Sequence, residues 1–246
     1  ALQGFQEIVL CGIHLSSYGH DLRPRESLME LLPALAELGE RPRLRLSSLD
    51  PRFLNDELID FITRNPKICP HFHLSLQHGS DRVLGLMGRK SRVSEYSRIL
   101  HRLRQNSPAA ALGADIISGF PGESDEDFGV LSDFLETSPL NYFHVFSYSP
   151  RPQTASRSWP QVEDRTKRKR SALLRSLSEK KRRDFRLNLI GQELEGIVVK
   201  KSAAGAEILT SNYIDVLVPS CPRQPGEAVR VKITGAEAKR TWGETA

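Results

Sequence analysis

The sequence predicts an α/β protein in which a full or partial β/α barrel is followed by a small all-β barrel. Three observations carry this. Short apolar runs of strand length alternate with segments whose apolar residues recur at helical spacing, which implies a parallel sheet with right-handed crossovers. Five such runs pass without a clear doubly wound break, which favours curling into a barrel. After Gly191 the helical period stops, and short strands follow one another between Gly, Pro and Asn turns.

The elements follow in order. The strand candidates are EIVLCGIHL (7–15), RLRLSSL (43–49), HFHLSLQ (71–77), ALGADIISGF (111–120) and YFHVFSYS (142–149), each rich in Ile, Leu, Val or Phe. Between them lie the helix candidates SLMELLPALAEL (27–38), NDELIDFITRN (55–65), SEYSRILHRLRQN (94–106) and DEDFGVLSDFLET (125–137). Ser94 and Ser124 stand where an N-cap belongs. Residues 163–190 read as one long basic helix, with Leu173, Leu174, Leu177, Phe185 and Leu189 as its apolar stripe. ELEGIVVKK, AEILTSN, YIDVLVP and EAVRVKITGAEA supply the final strands. The expected division is a β/α unit over 1–160, a basic linker helix over 161–190 and a small β-barrel over 191–246.

Composition narrows the function classes. With 246 residues, 39% hydrophobic and 26% charged, the chain reads as a soluble globular protein with a sizeable core. No apolar run is long enough to span a bilayer, and no secretory leader is visible, so no membrane partner is expected. Cys11, Cys69 and Cys221 are odd in number and far apart, which fits a reducing cytoplasm and excludes a local metal knuckle. The net charge of +5 is uneven: Arg151–Ile190 holds thirteen Lys and Arg against four Asp and Glu, so this stretch is +9 and the rest −4. Such a segment is either the footprint of a polyanion, nucleic acid foremost, or a solvated helix face.

Barrels of this type carry their chemistry at the carboxyl ends of strands. There the sequence places His14, Ser16, Ser17 and Tyr18, then Ser47 and Ser48, then Gln77 and His78, then Ser118 to Glu123, then Ser147 to Arg151. The Gly119-Phe120-Pro121-Gly122 turn reads as a wall of a ligand pocket, because glycine lets backbone approach a ligand closely. Glu123, Asp125, Glu126 and Asp127 read as first-turn acids suited to the helix dipole. The Gln77 amide can both donate and accept. His71 and His73 share a strand face, as a metal pair or as core histidines. Arg43 and Arg45 share another, as anion clamps or as partners of acids. Cys69 reads as a small buried hydrophobe.

The segments ICPHFHLSLQHGSDRVLGLMGRKSRVSEYSRIL, ADIISGFPGESDEDF and HVFSYSPRPQT occur in this order, with EIVLCGIHLSSYGHDL before them and TSNYIDVLVP after. Together they resemble the radical S-adenosylmethionine (SAM) methylthiotransferases over nearly the whole chain. HVFSYSPRP joined to TSNYI is most similar to the branch acting on N6-threonylcarbamoyladenosine in tRNA. The resemblance implies a partial radical SAM barrel and a carboxy-terminal TRAM domain that grips RNA. It implies SAM and two 4Fe–4S clusters as cofactors, the tRNA anticodon arm as partner, and a reductant and sulfur donor besides. The implied reaction places a methylthio group on carbon 2 of the modified adenosine at position 37.

The resemblance also assigns residues. Ser47, Ser48, Gln77, the Ile117–Gly122 turn with Gly119, Phe146 and Tyr148 are expected to line the SAM pocket. His14, Ser17 and Tyr18 face the amino-acid moiety. Lys167, Arg168, Lys169, Arg170, Lys180, Lys181, Arg182 and Arg183 are expected to neutralise tRNA phosphates. Tyr213 and Asn212 either contact RNA or fix a turn. There are departures. No CxxxCxxC is present, and that loop belongs just upstream of the segment matching EIVLCGIHL, so the chain is expected to begin after the family's first barrel strand and to hold no metal of its own. It would act as a truncated enzyme or as a non-catalytic tRNA-binding remnant. His78 stands where serine is usual, and Gln153 replaces the glycine of RPGT.

Overall fold

A computed structural model gives the protein's structure, and it describes residues 4–12, 15–39, 41–237 and 239–246. Five parallel strands form the α/β unit: β1 (Glu7–Leu10), β2 (Arg43–Leu46), β3 (His71–Gln77), β4 (Ala111–Ser118) and β5 (Tyr142–Ser147). β1 pairs with β2 from Glu7↔Arg43, β3 with β4 from His71↔Ala111, and β4 with β5 from Gly113↔Tyr142. Between β2 and β3 the ladder is reduced to two bridges, Leu44 with Ile68 and Leu49 with Leu74. Pro70 at this seam has no N–H to donate. The neighbouring amides of Cys69 and Leu49 make the join, to Leu44 O and His73 O, each at 2.8 Å. The expected five-stranded curl is thus built of two ladders meeting at β2 and β3.

The period of two along each strand sorts its side chains. Leu44 and Leu46, Phe72 and Leu74, Leu112, Ala114 and Ile116, and Phe143 face the helical layer. There they meet Leu32 of α1 (Leu28–Ala36), Leu58, Ile59 and Ile62 of α2 (Asp56–Arg64), Leu100 and Leu103 of α4 (Val93–Asn106), and Leu131 and Leu135 of α5 (Asp125–Thr137). The alternate residues, among them Glu7, Arg43, Arg45, His71, His73, Asp115, Tyr142, His144 and Phe146, are left for the concave face. Asn55 caps α2, its Oδ1 accepting from Leu58 N–H at 2.8 Å. Ser124 and Asp127 form a capping box on α5, as the sequence led us to expect of Ser124. Ser94 is a correction: α4 begins one residue earlier, and the Glu95 carboxylate accepts from Arg92 N–H at 3.1 Å.

α6 (Asp164–Leu187) runs antiparallel to β5 and covers its open edge. Ser178 Oγ accepts from Phe143 N–H at 2.9 Å and donates to Phe143 O at 2.8 Å, and Arg175 donates to Val145 O at 3.3 Å. The helix therefore takes the place of a missing neighbour strand. Leu174 enters the α/β core, while Phe185, with Leu189 just beyond the helix, enters the core of the second unit. Leu173, expected in the same stripe, is 53% exposed.

The second unit is a closed five-stranded barrel in the order β10-β8-β7-β6-β9. Its strands are β6 (Glu193–Ser202), β7 (Gly205–Thr210), β8 (Asp215–Val218), β9 (Ala228–Ala236) and β10 (Thr241–Thr245). The sequence reading missed β10. It also missed α3 (Asp81–Leu86), a six-residue helix capped by Ser80. Among the described residues no helix is long and apolar enough to cross a membrane.

Candidate functional site

The carboxyl ends of β3, β4 and β5, the Leu86–Arg89 loop and residues 151–159 enclose a cleft of about 640 Å³. Gln77, Ile117, Phe120 and Tyr148 all line it. Gln77 closes β3 at φ 75°, a region that strains any residue but glycine. The Gln77 amide makes no hydrogen bond to a described residue. The Phe120 ring meets Tyr148 edge-on at 5.1 Å and Trp159 at 6.1 Å, and Tyr148 Oη donates to Ser156 Oγ at 2.8 Å. The result is a cleft with an aromatic wall and one uncommitted amide, a chemistry that suits a nucleoside.

The Gly119-Phe120-Pro121-Gly122 turn is held from below by one carboxylate. Glu123 accepts the Gly119 N–H at 2.6 Å and the Phe120 N–H at 3.3 Å. Arg170 of α6 donates to Glu123 at 2.6 Å and to Asp125 at 2.6 Å, and His78 Nε2 lies 3.4 Å from Glu123. His78 Nδ1 accepts the Ser80 N–H at 3.0 Å, which leaves its proton on the side facing Glu123. The side chains of Glu123 and His78 are fully buried. Glu123 is thus not a helix-start acid: it ties the turn to α6. Asp127 does fill the helix-start role. Burial works to raise its pKa, but Arg82, Ser124 and Ser80 outweigh this and hold it well below the usual carboxylate range.

The other expected pocket residues divide. Gly119, at φ 75°, sits in the adjoining turn, and a Cβ there would lie 2.3 Å from the Lys167 stem. Phe146 pairs in register with Ile117 and is 54% exposed on the concave face, outside the cleft. Ser47 and Ser48 also lie outside it. Ser48 Oγ bonds Ser75 Oγ at 2.8 Å, and Ser47 Oγ is buried with no hydrogen-bond partner among the described residues. His14 lies outside the described residues. Ser16 accepts from Asp50 N–H at 2.8 Å, and Tyr18 donates to Glu26 at 3.1 Å, so both brace the β1–α1 connection.

The basic residues of α6 divide as well. Arg168, Lys169, Lys180 and Arg183 are exposed. Arg170 is a correction, since it is buried and its guanidinium is committed to Glu123 and Asp125. Lys167 packs over Gly119 and pairs with Asp164 at 2.8 Å. Lys181 donates to Glu136 O and Ser138 O at 2.8 and 2.9 Å, and Arg182 lies over the Tyr142 ring at 5.8 Å.

Tyr213, 40% exposed, stacks on His71 at 4.2 Å, and Arg45 lies over its ring at 5.2 Å, where the small barrel meets the amino ends of β2 and β3. Its neighbour Asn212 donates to Ala109 O at 3.2 Å and accepts from Thr210 Oγ1 at 2.7 Å, which is the turn-fixing role. Arg45 binds both Glu7 oxygens at 2.6 and 3.0 Å and reaches Ser211 O and Thr210 O. Arg43 pairs with Glu195 at 3.1 Å. The two arginines therefore partner acids and the second unit. The His71–His73 pair meets Tyr142 Oη at 2.7 and 3.3 Å, and His73 pairs with Asp115 at 3.1 Å. Burial, with Arg45 adding to it, pushes the His71 pKa down to about 3, so this ring is neutral.

The cysteines do not fit an iron–sulfur cluster. Cys11 is exposed on the end of β1, Cys221 belongs to the small barrel, and Cys69 is buried with its thiol pushed up to about 12 by burial. No three His, Cys, Asp or Glu among the described residues are grouped to hold a metal.

Curled parallel strands, a cleft at their carboxyl ends and helices on the outer face define a partial β/α barrel enzyme fold, and residues 5–135 match the Radical SAM superfamily. The chain belongs to that superfamily, whose members use SAM and 4Fe–4S clusters. It is 40% identical over 234 residues to the threonylcarbamoyladenosine tRNA methylthiotransferase MtaB of Aquifex aeolicus, which covers 95% of this chain and 55% of that protein. It is 39% identical over 193 residues to MtaB of Thermotoga maritima, covering 78% and 44%. Coproporphyrinogen III oxidase of Escherichia coli shares the fold at a TM-score of 0.50 and 17% identity, over 61% of this chain and 36% of that one. The chain spans about half the length of the curated relatives it matches.

Proposed function

We propose that this chain is the SAM-binding and RNA-binding portion of a tRNA methylthiotransferase that modifies C2 of N6-threonylcarbamoyladenosine at position 37. The observation that carries the reading is the 40% identity along 95% of the chain to a protein of that name. The geometry supports it, because Gln77, Ile117 and Tyr148 share one cleft with the Gly119 turn beside them. In this reading the Gln77 amide takes the ribose or methionyl part of SAM. The Ile117–Gly119 backbone lies along the adenine, and Tyr148 packs beside it. The small barrel and the exposed residues Arg168, Lys169, Lys180 and Arg183 take the RNA backbone. SAM bound at a cluster would supply a 5′-deoxyadenosyl radical, but no step is assigned to this chain's cysteines.

One observation favours a second reading, an RNA-binding chain without catalysis of its own: the three cysteines are dispersed. Two measurements separate the readings. Binding of SAM by calorimetry, together with a salt-dependent shift of a tRNA anticodon arm, is expected of the first. The same RNA shift with no SAM binding supports the second, and absence of any RNA shift overturns both.

A further inference from the structure

The cleft holds two cations that no acid among the described residues meets at ion-pair distance. Arg89 and Arg151 line it, and neither guanidinium pairs with a described residue. Arg151 is exposed at the rim, whereas Arg89 is half-buried at the end of the Leu86–Arg89 loop. The nearest acid felt by Arg89 is Asp50, and Arg52 already holds both Asp50 oxygens at 3.0 and 2.6 Å. Among the described residues no carboxylate lines the cleft. A desolvated cation without a partner is costly, and the burial lowers the Arg89 pKa. Such a charge is compensated when an anionic ligand arrives. The same cleft has the Phe120, Tyr148 and Trp159 rings on its wall.

We infer that Arg89 and Arg151 form a phosphodiester subsite, gripping the RNA backbone at the mouth of the cleft whose inner wall takes SAM. The inference rests on the proposed RNA-modifying function and adds to it a contact that the basic helix does not supply. Guanidinium forks match phosphate oxygens two at a time, so the cleft offers an anion site beside its SAM contacts. SAM offers the pair one anion, its α-carboxylate, but its sulfonium and α-ammonium are cationic, so a phosphodiester is the better match for two guanidinium groups with no acid beside them.

The test uses the full chain and a fluorescently labelled RNA hairpin carrying an adenosine in its loop, followed by anisotropy across a salt series. Arg89→Gln and Arg151→Gln are each expected to weaken binding about tenfold. Each is also expected to flatten the plot of log K against log salt by about 0.7 to 1, one phosphate contact apiece. SAM affinity by calorimetry is expected to stay at its wild-type value. Arg89→Lys keeps the charge and is expected to keep the slope while losing part of the affinity. Unchanged RNA affinity and slope in both Gln variants overturns the subsite while leaving the proposed function standing. Weakened SAM binding with unchanged RNA binding also overturns it, assigning the pair to the SAM carboxylate. A wild-type chain that binds no RNA overturns the proposed function and this inference together. If Arg89→Gln fails to fold by circular dichroism, the exposed Arg151→Gln decides the matter.

Discussion

Arg170 shows how one side chain can be taken for the wrong task. Its place in a run of cations points to RNA, yet its guanidinium anchors Glu123 and through it the amides of Gly119 and Phe120. Removing one partner of a buried pair leaves a charge without compensation, at about 3 kcal/mol or more. Arg170→Met is therefore expected to lower stability by about that amount in urea denaturation, while leaving the salt slope of RNA binding unchanged. Lys180→Gln, on the exposed face, is expected to do the reverse. His71 carries a second prediction. Its folded pKa of about 3 lies below the ordinary 6.5, because of burial first and then of Arg45, His73 and His144. The unfolded chain thus binds the extra proton between these values, so the stabilising effect is complete above about pH 6.5 and drains away as pH falls toward 3. Thermal unfolding midpoints are expected to drop across that interval, with a shallower drop in His71→Gln.

At the scale of elements, α6 depends on small hydroxyls. Ser178 serves both the N–H and the C=O of Phe143, on the edge of β5 that no strand covers. Ser178→Ala leaves both groups buried and unpaired, and a loss of about 1–3 kcal/mol is expected in chemical denaturation. The helices and strands of the α/β unit were legible because their periods are clean: residues 71–77 and 125–137 were bounded to the residue. α3 was not legible, because six residues are too few for a helical period to emerge, and only Ser80 and Asp81 signal it. β10 was missed because Thr241–Thr245 is short and interrupted by Gly243, whose register shift breaks the alternation. That strand closes the barrel against both β8 and β9. Ending the chain before Thr241 exposes two strand edges, and self-association is expected in light scattering.

Across the whole molecule, the cleft was legible in part: strand tips put Gln77 and Tyr148 at one end of the sheet and the resemblance added Ile117, whereas Ser47, Ser48 and Phe146, expected with them, lie outside it. What joins the two units was not. Tyr213 under Arg45 and against His71, and Arg43 with Glu195, are contacts between residues more than a hundred positions apart, and no local pattern announces them. The same holds for the split of the basic run, because a count of cations does not say which are turned inward. α6 spans 24 residues, or about 36 Å at 1.5 Å per residue. One end grips the cleft turn through Arg170, and the other is seated in the small barrel through Phe185. The helix is therefore a ruler. Under the proposed function, an RNA held at its far end would present to the cleft whichever nucleotide lies one fixed stride away, and the target would be chosen partly by measuring and not by reading bases alone.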